Sequence, residues 1–479
     1  MTNAKMMMVL AGVALSGTTL AQAEQGVNRD EVRAIVSEML SDAETRSSLL
    51  QGGGTAGYDK GFFLASSDNN FRLNIGGLVQ FRYVANFRDE DGVGTDLGGS
   101  PTTGENTGFE MRRTAVTLSG HAVSPDLKYN IRLITEGSDS SSVRIDDAFV
   151  SYNLGNGWYI KGGQYKLGFM RETMTDDGMQ LAAERSIVEA AFGAGRTQGV
   201  EFGWSDPQYA FMLGFHDGMN SAGSRWTDDN TGFRSQSLFG APAGLAPRGE
   251  RAYAVNARGE WVFQGKREDL ADYTAQQGQA LTGIFGAAVN WQQSRRIDRA
   301  LSDNNQYRDA DTLSYTVDLQ VENAGFGFYT AFVGQWNQGK FSSAGATNGT
   351  EENGNNFGVV VQGSYRFTPE FEIFARYDGL YLSGEQGTLS TGGIGATLRR
   401  LRSENYSFVT FGGNYYFAGH AAKFTLDCVM SLNRTARLTN TDGFTDLVDI
   451  GVLPNSNIGL LGTAKGLEAA VRAQFQLMF

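Results

Sequence analysis

From Phe71 to the end of the chain, apolar and polar side chains alternate with a period of two, as in strands that turn one face to an apolar medium and the other to a polar one. Phe71, Leu73, Ile75, Val79, Phe81 and Tyr83 share one face and Arg72, Asn74, Gln80 and Arg82 the other, with Leu78 and Val84 as exceptions. Leu127, Tyr129, Ile131 and Leu133 stand opposite Lys128, Asn130 and Arg132, and Phe424, Leu426, Cys428 and Met430 stand opposite Thr425 and Asp427. The pattern predicts sixteen strands, near 71–86, 109–123, 126–136, 143–154, 157–166, 198–205, 208–216, 252–263, 283–294, 312–322, 325–336, 356–367, 370–381, 406–417, 422–434 and 466–479. Their lengths suit tilted membrane strands of about 9 to 11 residues or more. An all-β, closed antiparallel transmembrane barrel over 71–479, polar in its lumen and apolar outside, explains the alternation most simply.

The connections support closure. Ser124-Pro125, Gly155-Asn156, Asp206-Pro207, Asn323-Ala324, Thr368-Pro369 and 418–421 read as tight turns, and the connections between them are mostly long, as for short periplasmic turns and long outer loops. The segment 264–282 breaks this rule. All seven prolines fall in turns or loops, where a missing ladder donor does no harm. A soluble propeller would place its prolines likewise but has no need of aromatic residues flanking its strands; Phe367, Tyr377, Tyr415, Tyr416, Phe417 and Phe475 suit interfacial girdles. The last strand sets Leu467, Val471, Phe475, Leu477 and Phe479 against Glu468, Arg472, Gln474 and Gln476.

The amino-terminal region differs. Lys5, an apolar run from Met6 to Leu15 and Ala21-Gln22-Ala23 form a signal-peptide pattern over 1–23, predicting a mature chain from Glu24. Over 24–54, Val32, Ile35, Val36, Met39 and Leu40 recur at helical spacing, with Asn28 as cap and glycines 52–54 as the stop. This periplasmic helix packs against copies of itself or a partner, or else is a mobile tail, and 55–70 reads as a linker.

Composition narrows the function. A net charge of -12 and the lack of a Lys/Arg cluster argue against a nucleic-acid partner. Beyond the first two dozen residues no apolar run reaches the length of a helical span. One cysteine, Cys428, says nothing of the redox compartment. No cofactor or metal motif stands out; the acidic run Asp89-Glu90-Asp91 does not match an EF-hand loop. A hydrolase embedded in the outer membrane is the rival class, but His121 in a strand, His216 at a strand end and His420 in a turn form no evident constellation.

Several segments, spread over about 150 residues, resemble the phosphate-selective porin O and P family: Leu73-Asn74-Ile75-Gly76-Gly77, Arg112-Arg113 with Leu118-Ser119-Gly120, 162–169, Glu184-Arg185-Ser186 and Gly195-Arg196. The resemblance implies an outer-membrane porin, a sixteen-stranded homotrimer that passes small hydrophilic solutes with a preference for phosphate or other anions. It implies a third outer loop folded into the lumen, which the strand count places at 167–197, with Met179 to Phe192 reading as a short helix. A terminal Phe479 resembles the signal read by outer-membrane barrel assembly machinery.

The resemblance assigns pore roles to Arg112 and Arg113, and Arg295, Arg296 and Arg299 resemble a later basic cluster. Neighbouring strand residues point to opposite faces, so Arg112 and Arg113 can both serve the pore only across a bulge or beyond the lipid band; Arg113, which shares a face with Ala115 and Thr117, is the better lumenal candidate. Leu78 stands where phosphate-selective members carry arginine. An arginine facing lipid at the midplane costs about 2 to 4 kcal/mol, which directs Arg82, Arg132, Arg366 and Arg376 to water. The loop carries Arg171, Arg185 and Arg196 beside Glu172, Asp176, Asp177, Glu184 and Glu189, so its acids are expected to neutralise some wall arginines, leaving the net sign of the passage open.

Overall fold

A computed structural model describes residues 54–59, 61–88, 104–136, 142–223, 250–295, 305–343, 350–382, 404–433, 435, 437–438, 444–445, 457–461, 464 and 466–479. The signal sequence expected over 1–23 and all but the last residue of the helical segment expected over 24–54 lie outside these residues. Sixteen strands form the wall: β1 Arg72–Arg88, β2 Glu105–Ala122, β3 Ser124–Glu136, β4 Arg144–Gly155, β5 Trp158–Lys166, β6 Arg196–Ser205, β7 Tyr209–His216 and β8 Glu250–Gln264 in the first half. The second half comprises β9 Thr282–Arg295, β10 Asn305–Asn323, β11 Phe326–Ser343, β12 Thr350–Arg366, β13 Phe371–Leu382, β14 Glu404–Tyr416, β15 Ala422–Ser431 and β16 Glu468–Met478. Each strand pairs antiparallel with its neighbour in sequence, and β16 pairs with β1 from Met478↔Leu78 to Glu468↔Arg88, so the sheet closes without an edge. Every predicted strand is present. β10, β11 and β12 run further than the alternation suggested, continuing their ladder through polar pairs such as Lys340↔Glu351 and Gln338↔Asn353.

The barrel is polar inside and apolar outside, as hydrogen-bond closure in lipid requires. Gln80, Arg82 and Asn86 of β1 are buried in the interior, whereas Phe81, Tyr83 and Phe87 are exposed on the outer face. Aromatic contacts form near both rims. At the tight-turn end Tyr365, Phe367 and Phe371 meet at 4.9 and 6.1 Å, as do Tyr415, Phe417 and Phe475 at 5.0 and 6.1 Å. At the other end Tyr83 meets Phe109 at 4.8 Å and Tyr253 meets Trp291 at 5.4 Å. Tyr416 does not join a girdle. It follows Tyr415 on the strand and so points inward, where its hydroxyl donates to Glu372 Oε2 at 2.5 Å.

At the seam, Phe479 N donates to Gly77 O at 3.2 Å and Gly77 N to Phe479 O at 2.8 Å. A Cβ on Gly77 would lie 2.3 Å from the Phe479 ring, so the second glycine of Leu73-Asn74-Ile75-Gly76-Gly77 makes the slot for the terminal ring. The stretch read as a linker holds two short strands, Gly54–Tyr58 and Phe62–Ser66, and Phe62–Ala65 pairs with Arg72–Ile75 below the end of β16. Pro125 is the second residue of β3, at a strand end where proline is tolerated.

Candidate functional site

The connection between β5 and β6 fills much of the lumen. Leu167, Phe169, Met170, Leu181, Ile187, Val188, Ala191 and Phe192 are all buried, packed against inward-facing Ala331, Val333, Val360, Leu380, Phe408 and Val429. Gly358 leaves room for this contact, since a Cβ there would fall 2.6 Å from Val188 Cγ1.

The helix expected over Met179 to Phe192 is only its last part. Helix α1 spans Arg171–Met174, a 3-10 turn Asp177–Met179, and helix α2 Ile187–Phe192. Ser186 starts α2 by accepting from Glu189 N at 2.9 Å, while Glu172 accepts from Ser186 N at 2.6 Å. Between the helical pieces the loop's carbonyls bond to the wall instead of to one another: Gly178 accepts from Gln476 at 2.9 Å, Gln180 from Lys423 at 2.5 Å, Leu181 from Asn414 at 2.9 Å, and Glu184 and Arg185 from Arg376 at 3.0 and 3.2 Å. Buried backbone groups are thereby satisfied without a helix.

The opposite wall is basic. A register shift between Gln80↔Arg113 and Phe81↔Met111 makes Arg112 the extra residue of a β-bulge, and both guanidiniums enter the lumen. They converge with Arg82 on one loop carboxylate: Glu184 lies 2.8 Å from Arg113 Nη2 and 2.6 Å from Arg82 Nη1, and also accepts from Arg112 Nε. Asp177 is held by Arg132 at 2.8 Å and by Arg185 at 2.6 Å, and Asp176 by Arg132 at 2.9 Å. Arg196 binds Asp146 at 2.6 Å and Asp147 at 3.0 Å, the two acids again sharing the lumen across a bulge. Glu136 bridges Arg112 at 2.9 Å, Arg113 at 3.3 Å and Arg144.

Burial alone would raise the Glu184 carboxyl, but Arg112, Arg113 and Arg82 outweigh it and hold the group well below the usual carboxylate range. Asp177 is likewise lowered, burial being overcome by Arg185, Arg113, Lys166 and Arg132. Water reaches the rim of this network. Asp176 and Arg144 keep 55% and 56% of their side-chain surface, against 6% for Glu184, so the network is wettest at these two residues.

A closed sixteen-strand barrel with a charged, loop-narrowed lumen is the architecture of a channel, and residues 85–452 match the model of the phosphate-selective porin O and P family. The chain belongs to this family. It is an outer-membrane porin. Similar solved structures include the outer membrane channel DcaP of Acinetobacter baumannii, at 15% identity, covering 85% of this chain and 97% of that one with a TM-score of 0.48. The anion-selective porin from Comamonas acidovorans is similar at 11% identity, 85% and 99% coverage and a TM-score of 0.47, and OmpF of Salmonella typhi at 13%, 88% and 100%, and 0.46. No curated protein matches the sequence.

Of the arginines singled out from the porin's sequence, Arg82, Arg112, Arg113, Arg132, Arg185 and Arg196 come together in one network. Arg171 lies elsewhere, its Nε donating to Gln320 at 2.5 Å and its Nη1 3.6 Å from Glu260. Arg295 ends β9, its side chain undescribed, and Arg296 and Arg299 lie outside the described residues. Arg366 and Arg376 point inward, away from lipid, but are buried against Gln276 and the loop's carbonyls instead of facing water. The readings of single strands missed Arg144, Lys166 and Glu136. A signal was present for Arg144, which stands two residues from Asp146 on β4, a spacing that puts two charges on one face. Leu78 is buried in the lumen with Ala115 and Ile134, an apolar island on the polar face, and Val84 packs against the loop's apolar cluster.

Proposed function

We propose that this porin is a general diffusion channel for small hydrophilic solutes with weak anion preference and no dedicated oxyanion site. The observation behind this reading is Glu184. The arginines that could grip a phosphate already surround a resident carboxylate, so the wall's positive charge is largely spent on holding the loop. Among the described residues of this network Arg82, Arg112, Arg113, Arg132, Arg144, Lys166, Arg185 and Arg196 meet Glu110, Glu136, Asp146, Asp147, Asp176, Asp177 and Glu184, eight cations against seven carboxylates. Such near-balance supports weak selectivity, set where Asp176 and Arg144 meet water.

The family's trimer, residues 1–23 as a cleaved signal peptide and Phe479 as a determinant for assembly machinery belong to the same reading. Reversal potentials in planar bilayers under a salt gradient test it. A small anion preference and chloride current unaffected by inorganic phosphate are expected; saturable block by phosphate would overturn the absence of an oxyanion site, and strong cation preference would overturn the sign.

A further inference from the structure

The segment between β8 and β9, which violates the rule of short turns at this rim, is a second insertion into the lumen. After a 3-10 turn at Arg267–Leu270 the chain turns inward, and Leu270, Tyr273, Thr274 and Ala275 are buried. Lys266, Glu268, Asp269 and Gln276 to Gly278 remain exposed, so the segment has one dry face and one wet face.

Its dry face crosses the floor of half the barrel. Leu270 packs with Val262 of β8 and Ile284 of β9. The Tyr273 ring lies 4.9 Å from that of Tyr329 on β11, and Gly327 leaves space for Tyr273 O, 2.7 Å from where a Cβ would stand. Thr274 Oγ1 donates to Glu372 Oε2 of β13 at 3.3 Å and lies 3.2 Å from the Tyr416 hydroxyl of β14. Arg366 of β12 donates to Gln276 Oε1 at 2.9 Å, and His420 in the turn before β15 lies 3.2 Å from Asp272. The segment also supports the outer loop from below: Arg171 donates to Leu270 O, and Thr175 Oγ1 donates to Tyr273 OH at 3.4 Å.

We infer that 265–281 is a periplasmic-side plug, closing the sector from β8 to β14 and confining solutes to the sector of β2 to β6. A turn that merely joined two strands would need two residues and would bury none of them. This one carries a buried Tyr-Thr-Ala run, and its residues 273–276 pack against or hydrogen-bond to wall residues of four further strands. On the sector it leaves uncovered, Lys128 of β3 is exposed and Lys161 of β5 keeps partial exposure beside Glu201 at 2.8 Å, so the inner mouth passes these lysines. The inference rests on the channel reading and assigns the lower boundary of its path.

Replacing 268–278 by Asn-Gly in the full chain, and comparing folded barrels in planar bilayers, tests it. A rise in single-channel conductance of about two-fold or more is expected, with entry of larger neutral sugars into proteoliposomes. A folded variant with unchanged conductance and size limit would overturn the plug, whereas a wild-type chain forming no channels would sink the channel reading instead. A second measurement does not depend on the shortened chain folding. In a Cys428→Ser background, Ala275→Cys should react with a membrane-impermeant maleimide at least about ten-fold more slowly than Gln277→Cys, and equally fast reaction would remove the plug from the lumen.

Discussion

The two sides of the lumen hold the same loop by opposite means. Toward β11 to β15 the loop's side chains make an apolar contact, with Val188 and Phe192 seated over Gly358 among Val360, Leu380 and Phe408, and its backbone is hydrogen-bonded by Arg376, Asn414 and Lys423. Toward β1 to β6 the contact is ionic, three wall guanidiniums on Glu184 and Arg132 on Asp177, which the loop's own Arg185 also holds. The dry side fills space and excludes solute. The ionic side fixes position yet leaves a wet edge at Asp176 and Arg144, and that edge is where a passage can exist.

The ionic side is the more sensitive to losing one partner. Glu184→Ala leaves Arg82, Arg112 and Arg113 buried without their shared counter-charge, and removing one member of a buried pair costs about 3 to 5 kcal/mol. The heat-modifiable gel shift should move to lower temperature and open-channel noise should rise; an unchanged shift would show that the loop is held by its dry side alone. Glu184→Gln keeps the shape of the group and frees the charge, and should introduce the chloride block by phosphate that the wild type lacks. On the dry side, Gly358→Val overpacks the seat of α2, at about 1 to 3 kcal/mol. It should raise conductance without altering the sign of the reversal potential, so a changed sign would mean that the two sides are not separable.

Acid should distinguish the sides as well. Glu184 and Asp177 have folded-state values depressed below their unfolded ones, so their contribution is complete above about pH 4, where the free carboxyls ionise, and is lost only as pH falls further toward the depressed values. The stability that Glu184 lends, read as the difference in heat-modifiable gel shift between wild type and Glu184→Ala, should therefore hold steady from neutrality to that point; a difference that already shrinks near pH 6 would contradict the tether. The smallest effect on stability is expected from Lys128→Glu, within about 0.5 kcal/mol for an exposed side chain, read as a shift of the reversal potential toward cations.

The wall was legible in the sequence because period-two alternation is local, and each strand carries its own evidence from Phe81 and Tyr83 against Gln80 and Arg82 onward. The bulge at Arg112 was legible as a condition, since two adjacent arginines cannot otherwise share a lumen. The contents of the lumen were less so. Helical spacing over 179–192 predicted one helix, but Lys423, Asn414 and Arg376 take the carbonyls that a helix would use, and these donors lie about two hundred residues away. The plug was visible only as a turn of the wrong length, because no local rule distinguishes 265–281 folded inward from the same residues hanging free.

The seam between β15, β16 and β1 has a kinetic consequence. Asp427 on β15 accepts from Arg472 on β16 at 2.7 Å and from the loop's Ala183 N at 2.9 Å, and Gln476 on β16 donates to Gly178 O at 2.9 Å. The strand that completes the cylinder is thus part of the loop's berth. Sealing the wall before the loop docks would forgo the Ala183 to Asp427 and Gln476 to Gly178 bonds, so closure of the wall and docking of the loop are expected to be coupled across almost three hundred positions, and refolding should be slow for that reason.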